Sequence, residues 1–533
     1  MAAVGDRAAL LSYQGDEESL GLTFHPTGVS PKYIDSSNGR RALLSRRGKR
    51  TLLTALLKLN VVTILTTLVL VVLFGGFFAP FVSQHVLTRR LFDCNSVENG
   101  YQCHQPYAQL WGQYSPFTSL KTTSVISPDV PPGCTITFAQ VLSRHGARYP
   151  TASKTKTYAE LIDRIQKTSK SYKGAFKFLE TFKYKLGSDN MTQFGESQLF
   201  NSGSKFYKHY QALAKEKSPF IRASGSPRII KSAEMFIQGF HQYKLRDPDS
   251  DHNDGPPVIG VIIPEGSSSN NTLDHAVCDK FEEDRSGDGI QQKFADKFIP
   301  QILERVKSHL PGASVTIKDV SYLMDLCSFH TVAMTPDASI ISPFCQLFTI
   351  GEWVDYDYYQ SLGKYYRYGP GHPLGPEQGI GYSNELIARL TNTPVKDNTS
   401  TNRTLDSDPA TFPLNATLYA DFSHDNTMTS IFAALGLFNG TKALPVDRVQ
   451  TPVQSNGYSA SWTVPFAARA YIEKMKCEWS PRRDAEYVRI LINDRVFPLH
   501  GCKVDVLGRC ELNDFVAGLS FAMNGGKWET CST

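Results

Sequence analysis

The chain has 533 residues, 41% hydrophobic and 20% charged, which excludes a disordered chain or a coiled coil and leaves ample length for a buried core. Its formal net charge is +5, but residues 1–58 hold nine Lys/Arg against five acids, and the remaining 47 basic and 46 acidic groups nearly cancel. Nucleic-acid binders concentrate basic charge on their folded part, so no nucleic-acid partner is expected.

In chain order, residues 1–58 carry Gly, Ser and charge without a sustained apolar period and read as a disordered cytoplasmic tail. Residues 59–82 run 24 positions without a charge, enough helix to cross a hydrocarbon core of roughly 30 Å. A cleaved signal peptide is the alternative, opposed by the long preceding tail and the length of the apolar run. Arg46, Arg47, Lys49, Arg50 and Lys58 precede this run, whereas only Arg89 and Arg90 follow it closely. The positive-inside rule then predicts a transmembrane signal anchor, with a type II topology and residues 83–533 outside the cell or in a lumen. All ten cysteines lie beyond the anchor, as do all six N-x-S/T acceptors, Asn190, Asn270, Asn398, Asn402, Asn415 and Asn439. Both features suit an oxidising, glycosylating compartment. Cleavage at Arg89-Arg90 in the stalk would release a soluble protein.

Residues 83–133 form a stalk and an irregular N-terminal arm, and residues 134–533 read as one catalytic domain. Thr135–Leu142 is strand-like and leads into Ser143-Arg144-His145-Gly146. Tyr158, Leu161, Ile162 and Ile165 have helical spacing, and Phe176, Leu179, Phe182 and Leu186 continue a helical region. Pro257–Ile263 reads as a short buried strand, and Phe294, Phe298, Ile302, Val306 and Leu310 mark an amphipathic helix. Residues 396–409 form a polar surface loop. Leu418–Phe422 is a strand ending at Ser423-His424-Asp425, and Tyr487–Asn493 is a late strand. Interleaved strands and helices predict an α/β core, with a mainly helical insert roughly within 156–400.

The chemistry concentrates at two strand ends, where ligands of open α/β sheets bind. In Arg144-His145-Gly146-Ala147-Arg148-Tyr149-Pro150, two guanidinium forks suit phosphoryl oxygens. They also disfavour a protonated His145, leaving the neutral imidazole that a nucleophile requires. At the second strand end, the carboxyl of Asp425 beside His424 suits protonation of a departing alkoxide. No C-x-x-C, H-x-x-x-H or clustered carboxylates stand at metal-ligand spacing, so neither a metal nor another cofactor is expected.

RHGARYP with a distal HD resembles the signature of the histidine acid phosphatases. Longer stretches resemble fungal phytases of that family: LWGQYSPF at 110–117, FAQVLSRHGARYPT at 138–151, RASGSPR at 222–228, NELIARL at 384–390 and YADFSHDN at 419–426. The resemblance covers about residues 92–533. It implies a histidine-phosphatase-like α/β fold, His145 as a nucleophile that becomes a phosphohistidine, and Asp425 as proton donor. It further implies Arg144, Arg148, Arg222 and His424 as a phosphate clamp, with Gln113, Tyr114, Thr151 and Lys364 near a bound inositol phosphate. Gly363 stands where some relatives have a second Lys. The family pattern also implies the disulfides Cys94–Cys103, Cys134–Cys477, Cys278–Cys531, Cys327–Cys345 and Cys502–Cys510. Fungal phytases are typically secreted through a cleaved signal, so a membrane anchor departs from their pattern.

The expected function is therefore stepwise removal of phosphate from myo-inositol hexakisphosphate. A broad-specificity acid phosphatase is the alternative within enzymes, and a phosphoglycerate-mutase-like transferase ranks below it. A membrane-anchored receptor on an inactive phosphatase fold is the non-enzymatic reading, and it predicts a missing chemical residue, which is not found. The oligomeric state and the first phosphate removed are left open.

Overall fold

In the computed structural model, which describes residues 94–253, 255–478 and 485–531, Cys134–Arg144 forms the central strand β1. It is buried on both sides from Phe138 onward. Phe138 and Leu142 feed one apolar cluster, while Ala139 and Val141 feed another on the opposite face. After β1 come α1 (Ala152–Thr168), α2 (Gln193–His209), β2 (Phe220–Ser224), α3 (Pro227–Lys244) and β3 (Ile259–Ile263). Four longer helices follow: α4 (Ser286–His309), α5 (Ile317–Met334), α6 (Ile350–Arg367) and α7 (Ile380–Thr391). The chain then returns to the sheet with β4 (Leu418–Ser423), α8 (Asp425–Ala434), β5 (Arg469–Cys477), β6 (Glu486–Ile492), β7 (Arg495–Phe497) and β8 (Cys510–Glu511).

These strands make one sheet in the order β8-β6-β5-β1-β4-β2-β3, with β7 on β6. β1, β4, β2 and β3 run parallel, whereas β5 is antiparallel to β1 and β6. The β1–β4 register sets Arg144 opposite Ser423, so the two motifs leave adjacent strand ends side by side. Helices α2 and α3 cover one face through Leu199, Phe206, Phe236 and Phe240, and α7 and α8 cover the other through Leu386, Met428 and Ile431. Helices α1, α5 and α6 build a separate core with Trp111, Phe329 and Trp353. Both α5 and α6 start at a capping box, Thr316 with Asp319 and Thr349 with Glu352, each satisfying two otherwise orphaned backbone N–H groups.

Five disulfides join Cys94–Cys103, Cys134–Cys477, Cys278–Cys531, Cys327–Cys345 and Cys502–Cys510, the same pairs that the family resemblance implied.

Three sequence expectations are corrected. The helical region over 176–186 is a short 3-10 turn, Gly174–Glu180, followed by irregular chain. There the Gln166 side chain donates to the carbonyls of Leu179 and Phe182, both at 2.7 Å, replacing helical hydrogen bonds. The strand near 257–263 is a half-exposed sheet edge, with Gly260 and Ile262 facing solvent. The third concerns the membrane: among the described residues, no helix is long and apolar enough to cross one. The longest, α4, is amphipathic and contains Pro300. Among the described residues the fold is the α/β core with helical insert, none of its helices can span a membrane, and the type II membrane assignment is withdrawn. The stretch that prompted it, 59–82, lies outside the described residues, as do the tail and Arg89-Arg90.

Candidate active site

His145 follows β1 directly, and its backbone is stitched to both neighbouring segments. Its N–H donates to Ser423 O at 3.2 Å, and its carbonyl accepts from Ala467 N–H at 2.9 Å. The next turn needs glycine because α2 packs on it: a Cβ at Gly146 would lie 2.3 Å from Gly195 O. The ring is fixed as well. Nδ1 lies 2.8 Å from Gly146 O, so Nδ1 carries the proton and Nε2 keeps its lone pair. Burial first, and then the charges of Arg144, Arg148, Arg228 and His424, hold His145 well below the ordinary histidine range. The neutral ring is thereby favoured.

Arg144 is completely buried, with Nη1 donating to Gln113 O and, at 2.7 Å, to Val464 O. Its guanidinium lies 4.6 Å from the Phe466 ring centroid, and Nη2 stands 3.4 Å from Asp425 Oδ1. Arg144 Nε and Nη2, Arg148 Nε and Arg228 Nε are buried and have no hydrogen-bond acceptor among the described residues. Buried donors are normally satisfied, so this cluster is built for an added acceptor, and its charge calls for an anion.

Asp425 opens α8, and its Oδ2 accepts from Lys364 Nζ, which also donates to Asn426 Oδ1 at 2.5 Å. Burial pushes the Asp425 carboxyl up, but Arg144, Lys364 and His145 outweigh it and hold the group well below the usual carboxylate range. His424 packs edge-on to His145, with ring centroids 5.8 Å apart. A polar cavity of about 550 Å³ adjoins this cluster, lined in part by Arg148, Lys154, Lys318, Lys364, Arg367 and Asp425.

Arg144, His145, Arg148, Lys364, His424 and Asp425 thus come together. Gln113 and Tyr114 line the cavity, with Gln113 Nε2 donating to Gln360 Oε1 at 2.9 Å. Thr151 is the N-cap of α1, accepting from Lys154 N–H at 3.4 Å, and is not among the cavity-lining residues. Arg222 is only 2% exposed. It sits within β2, where it pairs with Asp421 at 2.9 Å and Glu385 at 2.6 Å, below the strand ends.

Sequence reasoning passed over Arg228, in the first turn of α3, whose Nη2 faces His424 Nδ1 at 3.4 Å. The signal was present: Ser226-Pro227 starts a helix just after a strand, so the next residue stands at the sheet's carboxyl edge. The six sequon asparagines lie on the surface, all exposed except the half-buried Asn402. Among the described residues, no group of three His, Cys, Asp or Glu side chains could hold a metal ion.

Residues 135–493 match the model of the histidine phosphatase superfamily, branch 2, and the chain belongs to that family. It is a phosphomonoester hydrolase of the histidine acid phosphatase kind. Over 438 residues it is 59% identical to Phytase A of Aspergillus fumigatus, covering 82% of this chain and 93% of that one. Phytase A of Penicillium oxalicum is 53% identical over 446 residues, covering 84% and 96%. The crystal structure of the phytase from D. castellii shares the fold, with a TM-score of 0.63 at 24% identity over 80% of this chain and 88% of that one.

Proposed function

We propose that this enzyme removes phosphate stepwise from myo-inositol hexakisphosphate through a phosphohistidine. One observation carries the reading: an imidazole whose Nδ1 is hydrogen-bonded to Gly146 O, leaving Nε2 as the nucleophilic nitrogen, beside three arginines that each keep at least one buried N–H without an acceptor among the described residues. High identity to curated proteins named Phytase A supports the substrate. Nε2 of His145 attacks phosphorus while the bond to the inositol oxygen breaks. Arg144, Arg148, Arg228 and His424 hold the phosphoryl oxygens as charge shifts among them.

Asp425 protonates the departing alkoxide. Without substrate it is a carboxylate between Arg144 and Lys364. An arriving phosphoryl group engages those cations and brings negative charge beside the carboxylate, and both effects raise its proton affinity. Water then displaces the phosphate from His145, with Asp425 acting as base. Gln113, Tyr114 and Lys364 border a cavity within the usual range for small-molecule sites, about 300–1,000 Å³. Lys154, Lys318 and Arg367 also line the cavity, Lys154 beside Asp325 and Arg367 beside Asp288, and these cations favour a substrate with several phosphates over an aryl monophosphate.

The test is a time course of phytate hydrolysis by the purified protein, resolving the inositol phosphate isomers. His145→Ala should abolish turnover in a folded protein, and labelled substrate should leave phosphate on His145 of the unmodified enzyme. Label on a Ser, Cys or Asp would sink the mechanism.

A further inference from the structure

We infer that Glu265 is a positioning residue for His424: it fixes the ring through Nε2 and sustains its doubly protonated form, so that Nδ1 presents an N–H to a phosphoryl oxygen. The inference rests on the reaction proposed above. Glu265 lies just after β3 and is not among the cavity-lining residues. Its Oε1 accepts from His424 Nε2 at 2.7 Å, from Ser224 Oγ at 2.7 Å and from Ser226 N–H at 3.1 Å. Ser224 closes β2 and Ser226 caps α3, so the rigid end of the sheet holds the carboxylate in place.

Burial pushes the Glu265 carboxyl up, but the hydrogen bond and charge of His424, with Ser224 and Arg228, offset this and bring it down to about 2. Glu265 is therefore an anion throughout the working range of an acid phosphatase.

Nε2 is committed to Glu265, and Nδ1 accepts from Arg228 Nη2 at 3.4 Å, a long contact that an arriving phosphoryl group replaces when it draws the guanidinium onto its own oxygens. A neutral ring bonded in this way turns a lone pair toward an incoming phosphoryl oxygen, whereas a protonated ring donates a hydrogen bond. The proton comes from solvent or from a monoanionic phosphate ester, and it resides on Nδ1 while the phosphoryl group is bound. The charged and titratable groups facing His424 are His145 from the β1 end, Arg228 from α3, Glu265, and Asp425 next in the chain. Arg228 opposes the imidazolium. Glu265, in direct contact, favours it.

The test compares wild type, Glu265→Gln and Glu265→Asp across the acidic to neutral range. The readouts are kcat/KM for p-nitrophenyl phosphate and competitive inhibition by inorganic phosphate. Glutamine keeps the acceptor oxygen and the shape but removes the charge. Its losses should grow toward neutral pH, with the alkaline limb of both readouts moving about one pH unit or more toward acid, the usual effect of removing an adjacent opposite charge. Aspartate should restore part of that shift. Limbs that superimpose on wild type, or a loss equal at every pH that aspartate does not relieve, would overturn the inference. An independent reading needs no Glu265 variant. With saturating inorganic phosphate, ¹⁵N-histidine spectra of the wild type should show His424 protonated at both nitrogens, and a single N–H there would refute the role. Phytate turnover by the wild type is the control that separates the two claims. Its absence defeats the proposed reaction, whereas an active wild type with an unshifted Glu265→Gln profile defeats only the role of Glu265.

Discussion

Arg222 and Arg228 belong to one short stretch, yet their surroundings assign them different work. Arg222 is enclosed by Asp421 and Glu385, and Asp421 is shared with the equally buried Arg389 at 2.7 Å. Burial pushes Asp421 up, but the two arginines outweigh it and hold the carboxyl at about 2. Its stabilising contribution is fully present above the ordinary carboxylate range and is lost as pH falls toward about 2. Arg222→Met should therefore cost stability, about 3–5 kcal/mol by urea unfolding, because it leaves buried Glu385 without this cation and Asp421 with Arg389 alone. Arg228→Ala should instead lower kcat/KM for phytate and p-nitrophenyl phosphate alike, with little change in the urea midpoint. It should also move the acidic limb of the rate profile to higher pH. The sign follows from His145: a cation that disfavours its protonated form is gone, so the ring protonates sooner as pH falls. An Arg228→Ala enzyme with an unmoved acidic limb would remove Arg228 from the nucleophile's surroundings. Pattern alone could not divide the two arginines, because the difference lies in which acids the fold brings to each. Asp421 and Glu385 reach Arg222 from another strand and another helix.

At the scale of elements, the best-read parts were those whose signal is local. The strand before RHG announces itself by its alternating apolar residues, the strand before HD by a short, largely apolar run, and α4 by its helical period. The 176–186 segment misled because its apolar residues keep a helical spacing while packing as a 3-10 turn and irregular chain on the insert's core. Close helix contact was equally invisible. A Cβ at Gly203 of α2 would stand 1.9 Å from Phe236 O, and one at Gly239 of α3 would stand 1.9 Å from Phe200 O. The two helices meet backbone to backbone, and a glycine within a helix says nothing of this until its partner is known. Gly203→Ala should consequently destabilise the protein, despite alanine's better helix propensity, by about 1–3 kcal/mol in denaturant unfolding. An unchanged or raised midpoint would show that the helix pair can separate without loss.

For the molecule as a whole, two disulfides span most of the described chain. Cys134–Cys477 closes a separation of 343 residues and Cys278–Cys531 one of 253. Loops of that length restrict the unfolded chain strongly, nominally by about 5 kcal/mol each, although measured values are often smaller. Cys134–Cys477 also ties β1 to β5 at a position where the two residues already face each other in the ladder. Replacing both cysteines by serine should lower the urea midpoint while leaving KM for phytate near its original value, since the bridge lies at the strand end opposite His145. A changed KM with an unchanged midpoint would reverse that assignment. Family likeness made the pairings legible where cysteine spacing could not.

The register that sets Arg144 beside Ser423 also dates the enzyme's competence. During synthesis the RHGARYP stretch emerges long before its HD counterpart and before β4, its parallel partner. A chain arrested within the helical insert owns the nucleophile with Arg144 and Arg148, and later Arg228, but it has neither Asp425 nor the strand β4 beside the histidine loop. Long-range parallel pairing is among the slower events in folding. Ester hydrolysis thus waits on β4 and Asp425, and chains that stop before them are expected to be silent in turnover.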